Sequence, residues 1–228
     1  MSTHPLYPGQ DGLSRIANSV ISVLSEMPFV RRIALFGSLA ESRADCWSDV
    51  DMQVACDNVE SDRWVASAAI RSALPVLYYR KFTAVDPPAG RYWFAGESPF
   101  HKLDIGFVLL DEYEAWKVNP EYFGHRITLA EVYASDVAQA AADPVRPACF
   151  PGPATEYETE VGSYIYFSIR ALKQRLRGEC VQERDLVRIA KLRGLMPSIP
   201  RHITMSGGRI GELAHQVCGM LDHLQLGL

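Results

Sequence analysis

No apolar run in the sequence approaches the ~20 residues that a membrane span requires. The opening stretch, MSTHPLYPGQDG, has none of the basic start, apolar stretch and small-residue cleavage site of a secretory leader, so a cytoplasmic location is expected. The five cysteines (Cys46, Cys56, Cys149, Cys180, Cys218) form no Cys-x-x-Cys, which excludes a zinc knuckle, and an odd, scattered set reads as reduced thiols rather than a disulfide frame. The six histidines show no metal-ligand spacing. There is no internal repeat and no low-complexity segment. An excess of basic charge is also missing. With a net charge of −4, the chain lacks the clustered Lys and Arg on which polyanion binding runs, and this argues against a dedicated nucleic-acid binder.

The remaining composition is that of a soluble globular chain, 48% apolar and 22% charged, which excludes disorder. Its 228 residues are enough for one large domain or two modest ones. Charge is unevenly placed, since Ser168 to Arg201 carries nine basic residues against three acidic ones. Such a segment is either a solvated helix face or a surface that meets a triphosphate or RNA.

Apolar residues at Leu13, Ile16, Ala17, Val20, Ile21 and Leu24 predict an amphipathic helix ending near Met27-Pro28. VRRIALFG and DVDMQVAC read as strands, and SDRWVASAAIRSAL as a helix capped by Ser61 or Asp62. Three more strands follow in VLYYRKFT, GRYWFAG and KLDIGFVLL. Beyond about Glu112 the strand signal ends, and the Ala-rich LAEVYASDVAQAAA predicts a helix. DPVRPACFPGPAT, with four prolines and one glycine, is the candidate linker, near 143–155. Three helical segments follow, the first (YETEVGSYIYFSIRALKQRLRG) stopped by Gly178. The fold class expected is α+β: a mixed-sheet domain over 1–115, then a helical bundle over 116–228.

The chemistry concentrates in LFGSLAESRADCWSDVDMQV, Leu35 to Val54. On a strand Asp49 and Asp51 point to the same face, about 6.6–7 Å apart along the chain. Two like charges on one face repel, and a divalent cation turns that cost into an advantage. Mg²⁺ takes oxygen ligands, commonly one or two carboxylates plus water and substrate phosphates. Two metals about 3.5–4 Å apart can clamp the attacking and leaving oxygens of an in-line phosphoryl displacement. Asp104, the lone acid of its strand-like run, would be a third carboxylate if its strand adjoined that of Asp49, and Gly106 beside it would leave room above the sheet. Gly37 and Ser38 suit phosphate, through close approach of backbone N–H groups and a helix beginning at Ser38 or Leu39.

FGSLAESRADCWSDVDM resembles the signature of the DNA polymerase β-like nucleotidyltransferase superfamily: an apolar residue, Gly-Ser, a spacer, then Asp-x-Asp. It is most similar to the small bacterial members, the aminoglycoside and lincosamide nucleotidyltransferases and the minimal antitoxins. Glu41 departs from the Arg that many small members carry there. The resemblance implies a palm-like sheet domain and a helical domain. It implies that Gly37 and Ser38 hold the triphosphate, that Asp49 and Asp51 bind Mg²⁺, and that Asp104 is metal ligand or general base. Some members take the base from a Glu early in the helical domain, here Glu156, Glu158 or Glu160. The expected reaction is attack of an acceptor hydroxyl on the α-phosphate of an NTP, with ATP the expected co-substrate.

The expected acceptor is a small molecule such as an antibiotic, and the acidic remainder of the chain suits a cationic one. A protein-AMPylating antitoxin-like enzyme and a non-catalytic nucleotide-binding relative are the alternatives. A homodimer is compatible with a cleft completed across subunits. Lys173 and Arg177, one turn apart, are either triphosphate contacts or a solvated face. Tyr78, Tyr79, Tyr92, Trp93 and Phe94 read as core more than as a stacking platform. RIGELAH, Arg209 to His215, matches the loose Arg/His pattern of HEPN ribonucleases, a pattern that arises easily by chance.

Overall fold

The apolar stripe seen in the sequence builds the first element of the computed structural model, which describes residues 6, 8–82, 89–122, 124–136, 155–201 and 208–224. Helix α1 (Asp11–Ser25) buries Leu13, Ile16, Ala17, Val20 and Leu24 on one face. Strands β1 (Val30–Phe36) and β2 (Val50–Cys56) pair antiparallel, with Ile33 opposite Val54 and Phe36 opposite Asp51. Helix α2 (Val59–Ala73) begins earlier than expected. Its cap is Asn58, which accepts from the Ser61 N–H, while Asp62 sits inside the first turn and accepts from the Asn58 N–H at 2.7 Å. Asn58 takes this place because its extended backbone lets its side chain reach back over the first turn.

Strands β3 (Val76–Phe82), β4 (Ala89–Phe94) and β5 (Leu103–Leu109) follow, then α3 (Leu110–Val118) and a small hairpin, β6 (Glu121–Tyr122) with β7 (His125–Arg126). The segment Leu129–Ala134, expected to be helical, is instead strand β8. It pairs with β1 and places Leu129 opposite Phe36. The open edge of β1 carries unpaired backbone groups, and satisfying them outweighs the helix preference of an Ala-rich stretch. The rest of that Ala-rich stretch from 137 onward, and all but Thr155 of the linker expected near 143–155, lie outside the described residues. Thr155 caps α4 (Glu156–Leu176), which is followed by α5 (Glu183–Leu195) and α6 (Ile210–His223). The boundary expected at 115/116 falls inside α3, and the sheet draws its edge strand from beyond it.

The sheet runs β3-β4-β5-β2-β1-β8, and its one parallel pair is β2 with β5. The fold is α+β, with a mixed sheet. On one face Val50, Met52, Val54, Leu103, Ile105 and Phe107 pack with α1 and α2. On the other, Tyr78 and Trp93 pack with Val161, Ile165, Leu172, Leu213 and Val217 of α4 and α6. Tyr113 of α3 covers Ala34 and Ala55 farther along this second face. The strand aromatics are therefore core on both faces, with Tyr78 and Trp93 stacked at 5.8 Å. Gly178, at φ +74°, ends α4: its N–H donates to Arg175 O and the Glu179 N–H to Gln174 O, the paired bonds of a Schellman stop. Arg170 clamps the fully buried Asp185 with two donors, which fixes α5 against α4. Among the described residues no helix is long and apolar enough to cross a membrane.

Leu172 is fully buried where the helices meet the sheet. Leu172→Ala is expected to lower stability by about 2–5 kcal/mol, read from the midpoint of a urea titration.

Candidate active site

The parallel register of β2 and β5 sets Asp51 opposite Asp104, and Asp49 lies one residue ahead of β2. Oxygens of Asp49, Asp51 and Asp104 lie within 4.8 Å of one another. Period-two alternation does the rest. Val50, Met52, Leu103 and Ile105 turn into the α1/α2 core, and the acids turn to the opposite face. The same cross-strand row continues from Asp104 to Arg91 of β4 and Arg80 of β3.

Gly37 follows Phe36 at the end of β1, beside Asp51. Its φ is +67°, and a Cβ there would come 2.7 Å from Asp51 Oδ2. Only glycine suits both the backbone and the close approach of the carboxylate. The helix expected at Ser38 does not form. Residues 37–42 make a turn in which the Glu41 N–H donates to Gly37 O and the Arg43 N–H to Ser38 O. Ser42 takes a left-handed φ of +54°, which ends the helical ladder after one turn. Gly106 does not leave open room either, since a Cβ there would lie 2.7 Å from Gln53 Oε1. The amide of Gln53, on the same face of β2, fills that space.

Three cations meet the acids, and two of them escaped the reading of the sequence. Lys102 bonds both Asp49 and, at 2.7 Å, Asp104. Arg91 grips both oxygens of Asp104, with Nη2 at 2.6 Å. Lys173 of α4 sits 3.2 Å from Asp49 Oδ1 and is buried, so it belongs to the acid cluster and not to a solvated face. The signal for Lys102 was its parity: two residues before Asp104, it repeats the spacing of Asp49 to Asp51. Nothing in GRYWFAG marked Arg91, because its role depends on which strand lies beside β4.

Helix α4 crosses this face of the sheet. The Tyr78 hydroxyl bonds Glu158 near its start, the Tyr166 ring lies 4.0 Å from the Arg91 guanidinium, and Lys173 reaches Asp49. Farther on, Arg177 grips Asp45 at 2.8 and 2.9 Å. Asp45 also accepts from the Trp47 N–H and the Ser48 hydroxyl, so α4 pins the loop that delivers Asp49. The Arg177 contact, aided by Ser48 and Trp47 against partial burial, lowers the Asp45 carboxyl to about 2. Glu156, Glu158 and Glu160 stand in the first turns of α4, and none of them joins the cluster of Asp49, Asp51 and Asp104. Glu160 instead accepts from Tyr164.

Burial raises Asp49, but Lys102 and Lys173 outweigh it and hold the carboxyl well below its ordinary range. Asp104 is likewise held down, against burial, by Lys102 and Arg91. Asp51 behaves differently. It has no hydrogen bond or ion pair among the described residues, and burial with the charges of Asp49 and Asp104 pushes it up to about 7. A carboxylate left unpaired beside two others, in a set supplying only oxygen ligands, fits a hard divalent cation. Arg209 and His215 are engaged elsewhere, with Glu212 and Ile199 O, so the ribonuclease-like pattern gathers no site.

No family model and no curated protein sequence matches the chain. Solved structures similar to part of it include the non-canonical poly(A) polymerase complex GLD-2–GLD-3, at 16% identity and a TM-score of 0.34 over 45% of this chain. A cytoplasmic RNA terminal U-transferase is similar at 18% identity and a TM-score of 0.32 over 43%. The chain spans only 36% and 29% of those two chains.

Unfolded aspartate titrates near 3.9, so between about pH 4 and 7 the folded chain holds a proton at Asp51 that the unfolded chain has released. Stability from this group is therefore lost as pH rises through that window. Without divalent ions, Asp51→Asn is expected to melt a few degrees above the parent at pH 8, with the gap closing towards pH 4, by scanning calorimetry.

Proposed function

We propose that this chain is a nucleotidyltransferase that moves a nucleoside monophosphate, AMP from ATP, onto a hydroxyl of a small-molecule acceptor. The observation that carries the reading is the convergence of Asp49, Asp51 and Asp104 beside the Gly37 turn, with Asp51 left unpaired. Asp49 and Asp51 would hold Mg²⁺, which supplies charge neutralisation and polarisation of the phosphate when bound. The Gly37–Ser38 turn presents backbone N–H groups and a hydroxyl to the triphosphate, and Lys173 adds a positive charge from above the sheet. Asp104, held ionised by Lys102 and Arg91, is a poor proton acceptor and acts by charge and orientation. The acceptor oxygen bonds to the α-phosphorus, the bond to the β-phosphate oxygen breaks, pyrophosphate leaves, and the hydroxyl proton passes to solvent.

The net charge of −4, and the passage of α4 over the acids, support a small hydroxyl compound in preference to a polymer. One observation favours a second acceptor class. At the β3 end of the same face a 740 Å³ cleft is lined by Arg80, Arg184, Arg188 and Lys191 with Tyr164, a set that suits an anionic acceptor. Glu156 and Glu160 share that lining and weaken its positive field.

Purified protein with Mg²⁺ and each NTP is expected to release pyrophosphate with a member of a panel of polyhydroxyl compounds. Asp49→Asn should lower that rate by about 10²–10³-fold or more, the scale of removing one charge-stabilising group from a transition state. Transfer of label only to an RNA oligonucleotide, or only to protein in a lysate, overturns the small-molecule acceptor. Asp49→Asn behaving as the parent overturns the site. In a separate measurement, Gly37→Ala, which collides with Asp51 Oδ2, is expected to weaken Mg²⁺-dependent nucleotide binding by calorimetry.

A further inference from the structure

Lys102 stands between Asp49, which the proposed chemistry assigns to Mg²⁺, and Asp104. Its backbone is held beside Asp49, because the Val50 N–H donates to Lys102 O at 2.9 Å. Strand parity turns its side chain to the same face as Asp104. The ammonium bridges Asp49 Oδ2 and Asp104 Oδ2. The residue is 3% exposed, so this ammonium is enclosed at the acids and does not wander over the surface.

The remaining acceptor capacity is uneven. Asp104 spends one oxygen on Arg91 and the other on Arg91 and Lys102 together, three of the roughly four lone-pair sites that a carboxylate offers. Asp49 holds Lys102 on one oxygen and Lys173 on the other. Asp51 holds neither. The three carboxylates already face three cations, and the Lys102 ammonium fills the place between Asp49 and Asp104. One ion on the Asp49–Asp51 side, arriving with a triphosphate, leaves Lys102 in place and gives Asp51 a partner.

We propose that Lys102 is a built-in cation of this site. It takes the position between Asp49 and Asp104 that a second divalent ion would otherwise share, so the chain loads one divalent cation with its nucleotide and not two. The inference rests on the nucleotidyltransferase reading and assigns the charge on the Asp104 side to a side chain.

The test counts Mn²⁺ bound per chain by electron paramagnetic resonance, on the full chain with a non-hydrolysable ATP analogue. The parent is expected to bind one ion and Lys102→Met two, with Lys102→Arg keeping the count at one. Both variants would be purified with Mg²⁺ present, and Lys102→Gln replaces Lys102→Met if the latter does not fold. Two ions in the parent overturn the proposal while leaving the nucleotidyltransferase reading intact. One ion in the parent and also in the Met or Gln variant overturns it as well. No ion in the parent, with or without one in a variant, overturns it, and the loss of ion and nucleotide binding from all chains overturns both readings.

Discussion

Gathering three carboxylates within 4.8 Å is the constraint on which the rest of the arrangement depends. A pair of unit charges at that distance repels by on the order of 3 kcal/mol in a medium of effective dielectric near 20, and burial strengthens the effect. The chain answers with cations from three separate elements: Lys102 at the entry to β5, Arg91 on β4 and Lys173 on α4. Each is buried, so each would itself be costly without its acid. Acids and bases are mutually obligatory here. Asp51 alone has no ion pair among the described residues, and burial with the charges of Asp49 and Asp104 holds its proton towards neutral pH while those of Asp49 and Asp104 are released.

Helix α4 joins this electrostatic arrangement to the packing of the whole molecule. Val161, Ile165, Ile169 and Leu172 bury one stripe in the core shared with Tyr78 and Trp93. From the adjoining part of its surface Tyr166, Lys173 and Arg177 reach Arg91, Asp49 and Asp45 in succession. The loop before Asp49 is held at both ends of its turn, by Arg177 on Asp45 and by the Trp47 indole N–H on Leu6 O at 2.7 Å. Docking of the helices and the geometry of the acids are therefore one event. A helical layer that packed differently would remove a cation from Asp49 and release the loop that carries it.

Gly37 shows how narrow the tolerance is at the other side of the cluster. The turn after β1 has to bring its backbone against Asp51 Oδ2, closer than any side chain permits. The carboxylate against which this turn packs is the unpaired one. This adjacency links the Gly-Ser pair to the paired aspartates physically, where the sequence offered only their spacing.

Strands β1 to β5, the long helices and the two faces of the sheet were legible from local periodicity and capping. Met52 and Val54 alternate with Asp51 whatever lies beside β2, and Gly178 stops α4 by its own backbone freedom. The spacing of Gly37, Ser38, Asp49 and Asp51 pointed to one site, and Asp104 was legible as the lone acid of an apolar strand. What depends on neighbours came from strand pairing and helix packing. Leu129–Ala134 became a strand because β1 had an edge to fill, and the space at Gly106 went to Gln53 because their strands are in register. Lys102, Arg91 and Lys173 became partners of the acids only once strand order and the path of α4 were set. Periodicity assigns a side chain to a face, but which charges share that face is a long-range property, settled by pairing and packing.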